Sequence, residues 1–194
     1  MKKFTILSLM VFAAFASFAQ FNKGRMLVGG SSEFRTETEK SKSGGTTVTD
    51  GRWTNLSFAP RFGYFVIDNL AVGAGLSVGL GKWADENDND DDYTSSNIHF
   101  QPFARYYLPQ GIFFQGQVGL GSGKTNYNDR PDYKYNLSSL AISAGYAFFL
   151  NDNVAVEPSL GYRTTGWKNK DSEVKDIDSG LFLQIGFQIY LGNK

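Results

Sequence analysis

The stretch LFLQIGFQIYL, residues 181–191, places a large apolar side chain at every odd position. Its even positions hold Phe182, Gln184, Gly186, Gln188 and Tyr190. Successive side chains of a β-strand point to opposite faces, so a period of two predicts a strand with one wholly apolar face.

The same alternation recurs along the rest of the chain. Seven earlier segments carry it, at about residues 24–34, 56–66, 70–81, 98–108, 112–121, 140–150 and 154–162. The first of them is the weakest, with Met26 and Val28 set against Arg25 and Leu27. In the middle of the strands the second face carries glycine, serine, glutamine and arginine. The water-facing side of a soluble sandwich would instead be rich in lysine and glutamate. This favours a crowded lumen with lipid outside, because a closed barrel satisfies every backbone polar group within hydrocarbon.

The connections between these segments alternate in length. Short turns are predicted at 68–69, 109–111 and 151–153, where the residue types suit turns. Long polar stretches lie at about 35–52, 83–96, 122–135 and 167–178. This order predicts an all-β fold, a closed eight-stranded antiparallel up-and-down transmembrane β-barrel. Both termini and the turns would face the periplasm, and four long loops would face the outside.

Three of the predicted strands contain a proline, at Pro60, Pro102 and Pro158. Proline cannot donate a hydrogen bond to a strand ladder. We therefore expect a β-bulge at each of these positions.

The first residues predict export from the cytoplasm. Two lysines precede an apolar run that ends in small residues near Ala19. This is typical of a signal peptide, here residues 1–19 with cleavage before Gln20, and it leaves the barrel domain over 20–194. The chain contains no cysteine, so we expect neither disulfides nor a lipidated thiol.

Charge and composition limit the partners. Nineteen basic residues balance nineteen acidic ones, which does not suggest a nucleic-acid partner. Nothing in the sequence predicts a cofactor. A barrel of this kind is expected to contact outer-membrane lipid and the barrel-assembly machinery. Its loops could meet an extracellular ligand or a host surface, and we expect a monomer.

Several segments resemble a known family. The turn segments GYFVIDNLAVG, 63–73, and LNDNVAVEPSLGY, 150–162, and the ending GFQIYLGNK, 186–194, are similar to the small porin-like outer-membrane β-barrel family, the OmpA/OmpX-like group. The resemblance covers the whole mature chain and implies a barrel in the outer membrane of a Gram-negative cell envelope. The ending departs from the family, since many barrels end on an aromatic residue whereas here Tyr190 is followed by four more residues.

Strand parity predicts a polar network inside the barrel. Eight strands enclose a lumen that side chains can just fill. The charged residues that parity points inward are Arg25, Glu33, Arg61, Arg105, Glu157 and Arg163. We predict a structural network in which Glu157 meets one or more arginines, since buried charge must be paired or hydrated. A narrow anion path is the alternative.

The three tryptophans lie where strands enter the long polar stretches. Trp53, Trp83 and Trp167 suit an aromatic girdle at the membrane interface. If the alternation of faces continues to the ends of the strands, all three side chains instead point inward, towards His99. This gives the hypothesis of a small ligand pocket at the barrel mouth. His99 is the only histidine, and the sequence spacing gives no triad around it. We predict no catalytic residue, and a lone histidine does not make a metal site.

The run DENDNDDD, residues 85–92, is an acidic loop segment. A block of like charges is usually a solvated, self-repelling tip, and this is our first interpretation. The segment also offers the oxygen ligands that calcium prefers, although it lacks the glycine and terminal glutamate of an EF-hand loop. The second hypothesis is a divalent cation that bridges the loop to lipid headgroups. Its candidate ligands are Asp85, Asp88, Asp90, Asp91 and Asp92.

These observations favour a protein that is not an enzyme. The first hypothesis is a structural, surface-interaction or envelope-integrity role for a side-chain-filled barrel with four long extracellular loops. A narrow porin-like channel for small solutes or ions is the alternative from another class. A lipid-modifying enzyme at the barrel rim is the least favoured.

Overall fold

Antiparallel strands curl into one closed barrel in the computed structural model, which describes residues 21–43, 46–85, 92–127, 131–170 and 175–192. The predicted signal peptide lies outside these residues. The strands are β1 Met26–Ser43, β2 Thr46–Ile67, β3 Leu70–Asp85, β4 Tyr93–Tyr107, β5 Ile112–Tyr127, β6 Tyr133–Tyr146, β7 Phe148–Phe149, β8 Val154–Asn169 and β9 Lys175–Leu191. Strands that follow one another in sequence pair with each other, except that β6 and β7 both pair with β8, and β1 pairs with β9 to close the barrel.

The short strand β7 continues the course of β6. Both pair with β8, and the register is the same on either side of Ala147. β6 and β7 therefore occupy a single strand position in the wall, and the wall has eight strand positions in all. The predicted fold class is confirmed.

The three short turns lie where the sequence predicts them. Asn69 adopts φ 66° and Gly111 adopts φ 89°, conformations that asparagine and glycine tolerate. The side-chain oxygen of Asn151 accepts hydrogen bonds from the backbone N–H groups of Asn153 and Val154, both at 2.9 Å. The backbone carbonyl of Phe21 accepts from Asn69 at 2.7 Å, so the first described residue lies at the short-turn end.

The prediction of four long irregular loops is wrong for the described residues. The stretch predicted as loop over 35–52 is mostly strand, since β1 runs to Ser43 and β2 begins at Thr46. The other three predicted loops shorten in the same way. Beyond the membrane both faces of a hairpin meet water, so the apolar period disappears while the backbone ladder continues.

The prediction of bulges at the prolines is also wrong. At Pro60 and Pro102 the ladder to one neighbouring strand is interrupted, but the register is unchanged beyond the gap. At Pro158 the interruption is the break between β6 and β7. Because proline has no N–H, the strand loses one hydrogen bond to the neighbour on one side. This loss does not require the extra residue that a bulge inserts. The register shifts lie instead between Glu39 and Lys40 in the β1–β2 ladder and between Phe65 and Ile67 in the β2–β3 ladder.

The two faces of the wall differ as the alternation requires. Large apolar side chains cover the outer face, with Leu181 77 % exposed and Leu183 76 % exposed. Inside, glycines make room for rings from the neighbouring strand: an added Cβ at Gly51 would lie within 3 Å of the Trp83 ring, and one at Gly161 within 3 Å of Phe182. Among the described residues no helix is long and apolar enough to cross a membrane.

Candidate functional site

A buried ion pair occupies the interior of the barrel. Arg105 Nη1 lies 2.5 Å from Glu157 Oε2, and the side chains are 3 % and 1 % exposed. The two residues come from β4 and β8, which are not neighbours in the wall. The pair therefore spans the lumen and links opposite parts of the barrel.

Two tyrosines complete the coordination of this pair. The hydroxyl of Tyr190 donates to Glu157 Oε1 at 2.5 Å, and the hydroxyl of Tyr107 accepts from Arg105 Nη1 at 2.8 Å. The two hydroxyls lie 2.9 Å apart. A buried carboxylate that accepts from both a guanidinium and a hydroxyl has its charge compensated, which is the condition for keeping it in a low-dielectric interior.

Glutamine side chains extend the network along the lumen. Gln115 Oε1 accepts from Arg105 Nε at 2.8 Å and from Arg61 Nη1 at 3.3 Å. Gln115 Nε2 in turn donates to Gln117 Oε1 at 3.0 Å. Arg61 and Arg105 also lie over the ring of Phe103.

The other described charged residues that strand parity points inward, Arg25 and Arg163, lie nearer the two ends of the lumen. Arg25 is buried and donates to the backbone carbonyl of Tyr190 at 2.9 Å. Arg163 lies 4.5 Å above the ring of Phe182, higher in the barrel. The side chain of Glu33 lies outside the described residues. The structure thus brings Arg61, Arg105 and Glu157 into one network and leaves Arg25 and Arg163 at its two ends.

An aromatic cluster closes the short-turn end of the lumen. The ring of Phe21, which precedes β1, stacks on Tyr107 at a centroid distance of 4.1 Å. It also meets Phe65, Phe149 and Tyr190 at 5.8 to 6.2 Å. Phe21 is 3 % exposed, and the cluster around it is buried. The short-turn end of the lumen is therefore filled with packed rings.

Above the ion pair the lumen opens into a cavity of about 220 Å³. Along the inner face of β4 the order from the short-turn end is Tyr107, Arg105, Phe103, Gln101 and His99, which places the cavity above the charged layer. Most of its lining is polar and faces the lumen, including Ser57, Arg61, Gln101, Gln117, Arg163 and Gln184.

The predicted mouth pocket does not assemble around His99. Trp53 and Trp83 are paired across β2 and β3, and both contact the Tyr93 ring, with centroids 5.7 and 6.1 Å away. Tyr93 also contacts Tyr127. His99 lies six residues farther down β4, about 20 Å at the rise of a strand. The strands are longer than the apolar pattern indicates, so Trp53 and Trp83 lie farther from His99 than that pattern implies.

His99 itself belongs to the wall of the lumen. It is buried, with Nδ1 3.1 Å from Gln101 Nε2 and Nε2 3.4 Å from Ser139 Oγ. Trp167 lies on β8 opposite Leu137 of β6, away from the other two tryptophans.

The acidic segment is described only at its two ends. Asp92 accepts from the backbone N–H of Asp85 at 2.9 Å and lies 3.4 Å from Lys82. Asp88, Asp90 and Asp91 lie outside the described residues. Within the described part of the chain there is no group of three or more acidic, histidine or cysteine side chains that could hold a metal ion.

Three residues that complete the charged layer or seal the barrel, Tyr107, Tyr190 and Phe21, are not among the site residues predicted from the sequence. Tyr107 and Tyr190 lie on inward positions of their strands, and this parity could have indicated them as partners of the buried charges. Phe21 precedes the first alternating residue, so no periodic signal identifies it.

The comparisons with known proteins agree with this architecture. A family model described as "Outer membrane protein beta-barrel domain" matches residues 68–194. Among solved structures, the chain is similar to OprG from Pseudomonas aeruginosa, with 12 % identity, a TM-score of 0.51, and coverage of 89 % of this chain and 98 % of that one. AlkL, solved by solid-state NMR in DMPC lipid bilayers, has 18 % identity, a TM-score of 0.36 and 90 % coverage of both chains. The comparison with curated proteins gives no match.

At 12 % identity, the similarity to OprG shows only that the two chains share a fold. The family model covers well over half of the chain, and its matched part begins at the turn before β3. The chain therefore belongs to the outer membrane protein β-barrel domain family and is an eight-stranded barrel of the bacterial outer membrane.

Proposed function

We propose that this protein is a closed, non-enzymatic barrel that acts in the cell envelope through its wall and its extracellular hairpins. The observation that carries this proposal is the sealed periplasmic end. Phe21 and the rings around it fill the lumen there, and the Arg105–Glu157 pair spans it one layer above. Ions and solutes would have to displace packed rings and a compensated charge pair, both of which are costly to move.

The outer surfaces support the same role. The belt of exposed apolar residues suits contact with outer-membrane lipid, and the described parts of the hairpins extend beyond that belt as paired strands. Trp53, Trp83, Tyr93 and Tyr127 stiffen one side of this extension. In this proposal the hairpins offer a rigid surface to an extracellular ligand or host surface, and the barrel is assembled by the barrel-assembly machinery as a monomer.

Planar-bilayer conductance of the refolded protein tests the closed lumen. We expect no steady current from the wild-type protein. A variant that lacks three sealing rings, Phe21→Ala, Phe65→Ala and Tyr107→Ala, should conduct if it still runs as a folded, heat-modifiable barrel on a gel. A steady wild-type current of uniform size would overturn the proposal and favour the narrow channel.

A further inference from the structure

Five lysines lie near one another on the outer face of the wall, at the end of the barrel opposite the short turns. Lys124 of β5 is paired with Lys134 of β6, and Lys168 of β8 is paired with Lys175 of β9. Lys170, which follows β8, donates its backbone N–H to the carbonyl of Lys134 at 2.9 Å. All five residues are exposed, and together they form the lysine cluster.

The lysine cluster continues the face that meets lipid. Lys124 has the same strand parity as the well exposed Leu120, and no register shift separates them. Lys175 has the same parity as the well exposed Ile177. At the rise of a strand these pairs are about 13 Å and about 7 Å apart along the chain, and barrel strands are tilted. The long lysine side chains therefore place their ammonium groups within reach of the lipid head groups.

A shallow groove of about 400 Å³ joins the apolar belt to the lysine cluster. Ile98, an exposed residue of β4, forms its apolar end and shares a rung with Ser122 of β5. The next outward-facing rung holds Ser96 and Lys124. The lining is completed on the outer face by Lys134 and Lys170. Apolar, hydroxyl and ammonium groups thus follow one another along the groove, which is the order of a lipid from its acyl chains to its phosphate.

The outer face of these strands presents no described acidic side chain. β5 and β6 contain no acidic residue, and those of β8 and β9, which are Glu157, Asp176 and Asp178, lie at inward positions. Asp132 precedes β6 and is exposed. None of the five lysines forms a salt bridge with a described residue. The ammonium groups are therefore available to an anion that does not belong to these strands.

The side chain of Lys175 lies across the wall, over Gly166 of β8. A Cβ added at Gly166 would lie 2.6 Å from Lys175 Cε and 3.4 Å from its Nζ. Gly166 is paired with Ile177 and is two residues nearer the apolar belt than Lys168, the partner of Lys175. Because glycine leaves this space open, the ammonium group of Lys175 can turn towards the belt, where a lipid head group would lie.

We propose that the lysine cluster binds the phosphomonoester head group of an anionic membrane lipid, in the leaflet at the long-hairpin end of the barrel. A phosphomonoester carries about 1.5–2 negative charges at neutral pH and three acceptor oxygens, so it contacts several ammonium groups at once. Its acyl chains lie against Ile98 and Leu120 in the belt. This site adds a lipid class to the envelope role proposed above and does not rest on the sealed lumen, because it lies wholly on the outside of the wall.

A lipid titration tests the head group. The wild-type barrel in neutral detergent is titrated with dioleoyl phosphatidic acid, which ends in a phosphomonoester, and bound lipid is counted by native mass spectrometry. We expect about tenfold tighter binding, or more, than for dioleoyl phosphatidylcholine, which has the same chains and no net charge. Equal affinities overturn the proposal. Inorganic phosphate that binds as tightly as phosphatidic acid shows a free-anion site and contradicts the lipid assignment.

Paired variants test the position of the site. Lys124→Gln with Lys134→Gln should weaken phosphatidic acid binding about tenfold or more, whereas Lys124→Arg with Lys134→Arg keeps both charges and should preserve it. The matched control is Arg52→Gln with Lys82→Gln, which removes two exposed charges from β2 and β3 and should change the affinity about twofold or less. Equal losses in the two glutamine variants would show that binding follows net charge alone, and this outcome rejects the lysine cluster as the site.

The contact can also be located in the wild-type protein, so that no variant needs to fold. Isoleucine and leucine methyl groups are labelled for NMR in nanodiscs, and phosphatidic acid with a nitroxide on one acyl chain is added. We expect Ile98 to broaden more strongly, relative to the exposed Leu56 of β2, than it does with phosphatidylcholine that carries the same nitroxide. The labelled phosphatidylcholine reports a lipid that is merely dissolved in the bilayer. The same ratio with both lipids contradicts a site at the groove.

Discussion

Arg105 of β4 and Glu157 of β8 meet across the lumen at 2.5 Å, 52 residues apart in the sequence, and both are almost fully buried. Neither charge has access to bulk water, so each depends on the other and on the hydroxyls of Tyr107 and Tyr190. The stability of the barrel is therefore sensitive to either partner.

Replacing Glu157→Gln should strongly destabilise the barrel. The substitution leaves the Arg105 charge buried without its counter-ion, a loss of roughly 3–5 kcal/mol for a buried pair. Urea unfolding in lipid vesicles, followed by tryptophan fluorescence, measures it. Asp92→Asn removes the partner of the exposed Lys82 and should cost about 1 kcal/mol or less. Equal losses in the two variants would contradict the importance of the buried pair.

Truncating Phe21→Ala should destabilise the short-turn end of the barrel. The ring is buried among four other aromatic rings, and removing a core phenylalanine costs about 3–5 kcal/mol. The matched control is Phe58→Ala, since Phe58 is 60 % exposed on the lipid face and leaves no cavity in the lumen. The free energy of unfolding should fall clearly less in the control. A smaller effect at Phe21 than at Phe58 would show that the ring does not seal the barrel.

Two glycines of β5 should differ sharply when replaced by valine. A Cβ at Gly121 would collide with the backbone of β4, with His99 Cα at 2.9 Å, and backbone cannot move aside as a side chain can. Gly121→Val should therefore cost about 1–3 kcal/mol through overpacking. A Cβ at Gly116 meets nothing within 4 Å, so Gly116→Val should be nearly neutral. The thermal midpoint of the heat-modifiable gel band separates them, and similar midpoints would be inconsistent with this packing.

Replacing Tyr93→Ala should loosen the long hairpins, at the end of the barrel opposite the short turns, and leave the membrane-spanning wall intact. Tyr93 contacts Trp53, Trp83 and Tyr127, and each such ring pair contributes about 0.5–1.5 kcal/mol beyond area burial. Hydrogen exchange should become faster at the ends of β2, β3 and β4. Tyr93→Phe keeps the ring and should preserve the wild-type protection. Loss of protection throughout the barrel would instead indicate that the ring contacts support the whole fold.

Local sequence patterns predict the wall well and its outer extensions poorly. Leu181, Leu183 and Ile185 show the period of two because lipid lies on one side of them and the lumen on the other. Above the membrane, residues such as Thr47 and Lys42 pair in the same ladder, but water lies on both sides, so no apolar period marks them as strand. The prolines suggest bulges that do not form, because a missing donor interrupts one ladder without shifting its register.

The sequence by itself determined the strand count, the two faces, the positions of the short turns and the outer-membrane location, because these depend on short-range alternation and turn chemistry. The tertiary structure alone decided which arginine meets Glu157, that Phe21 seals the lumen, and that β1 and β9 part above Gly30. The physical reason is barrel closure. It brings together residues from strands far apart in the sequence, and their contacts depend on register and packing that no local pattern records.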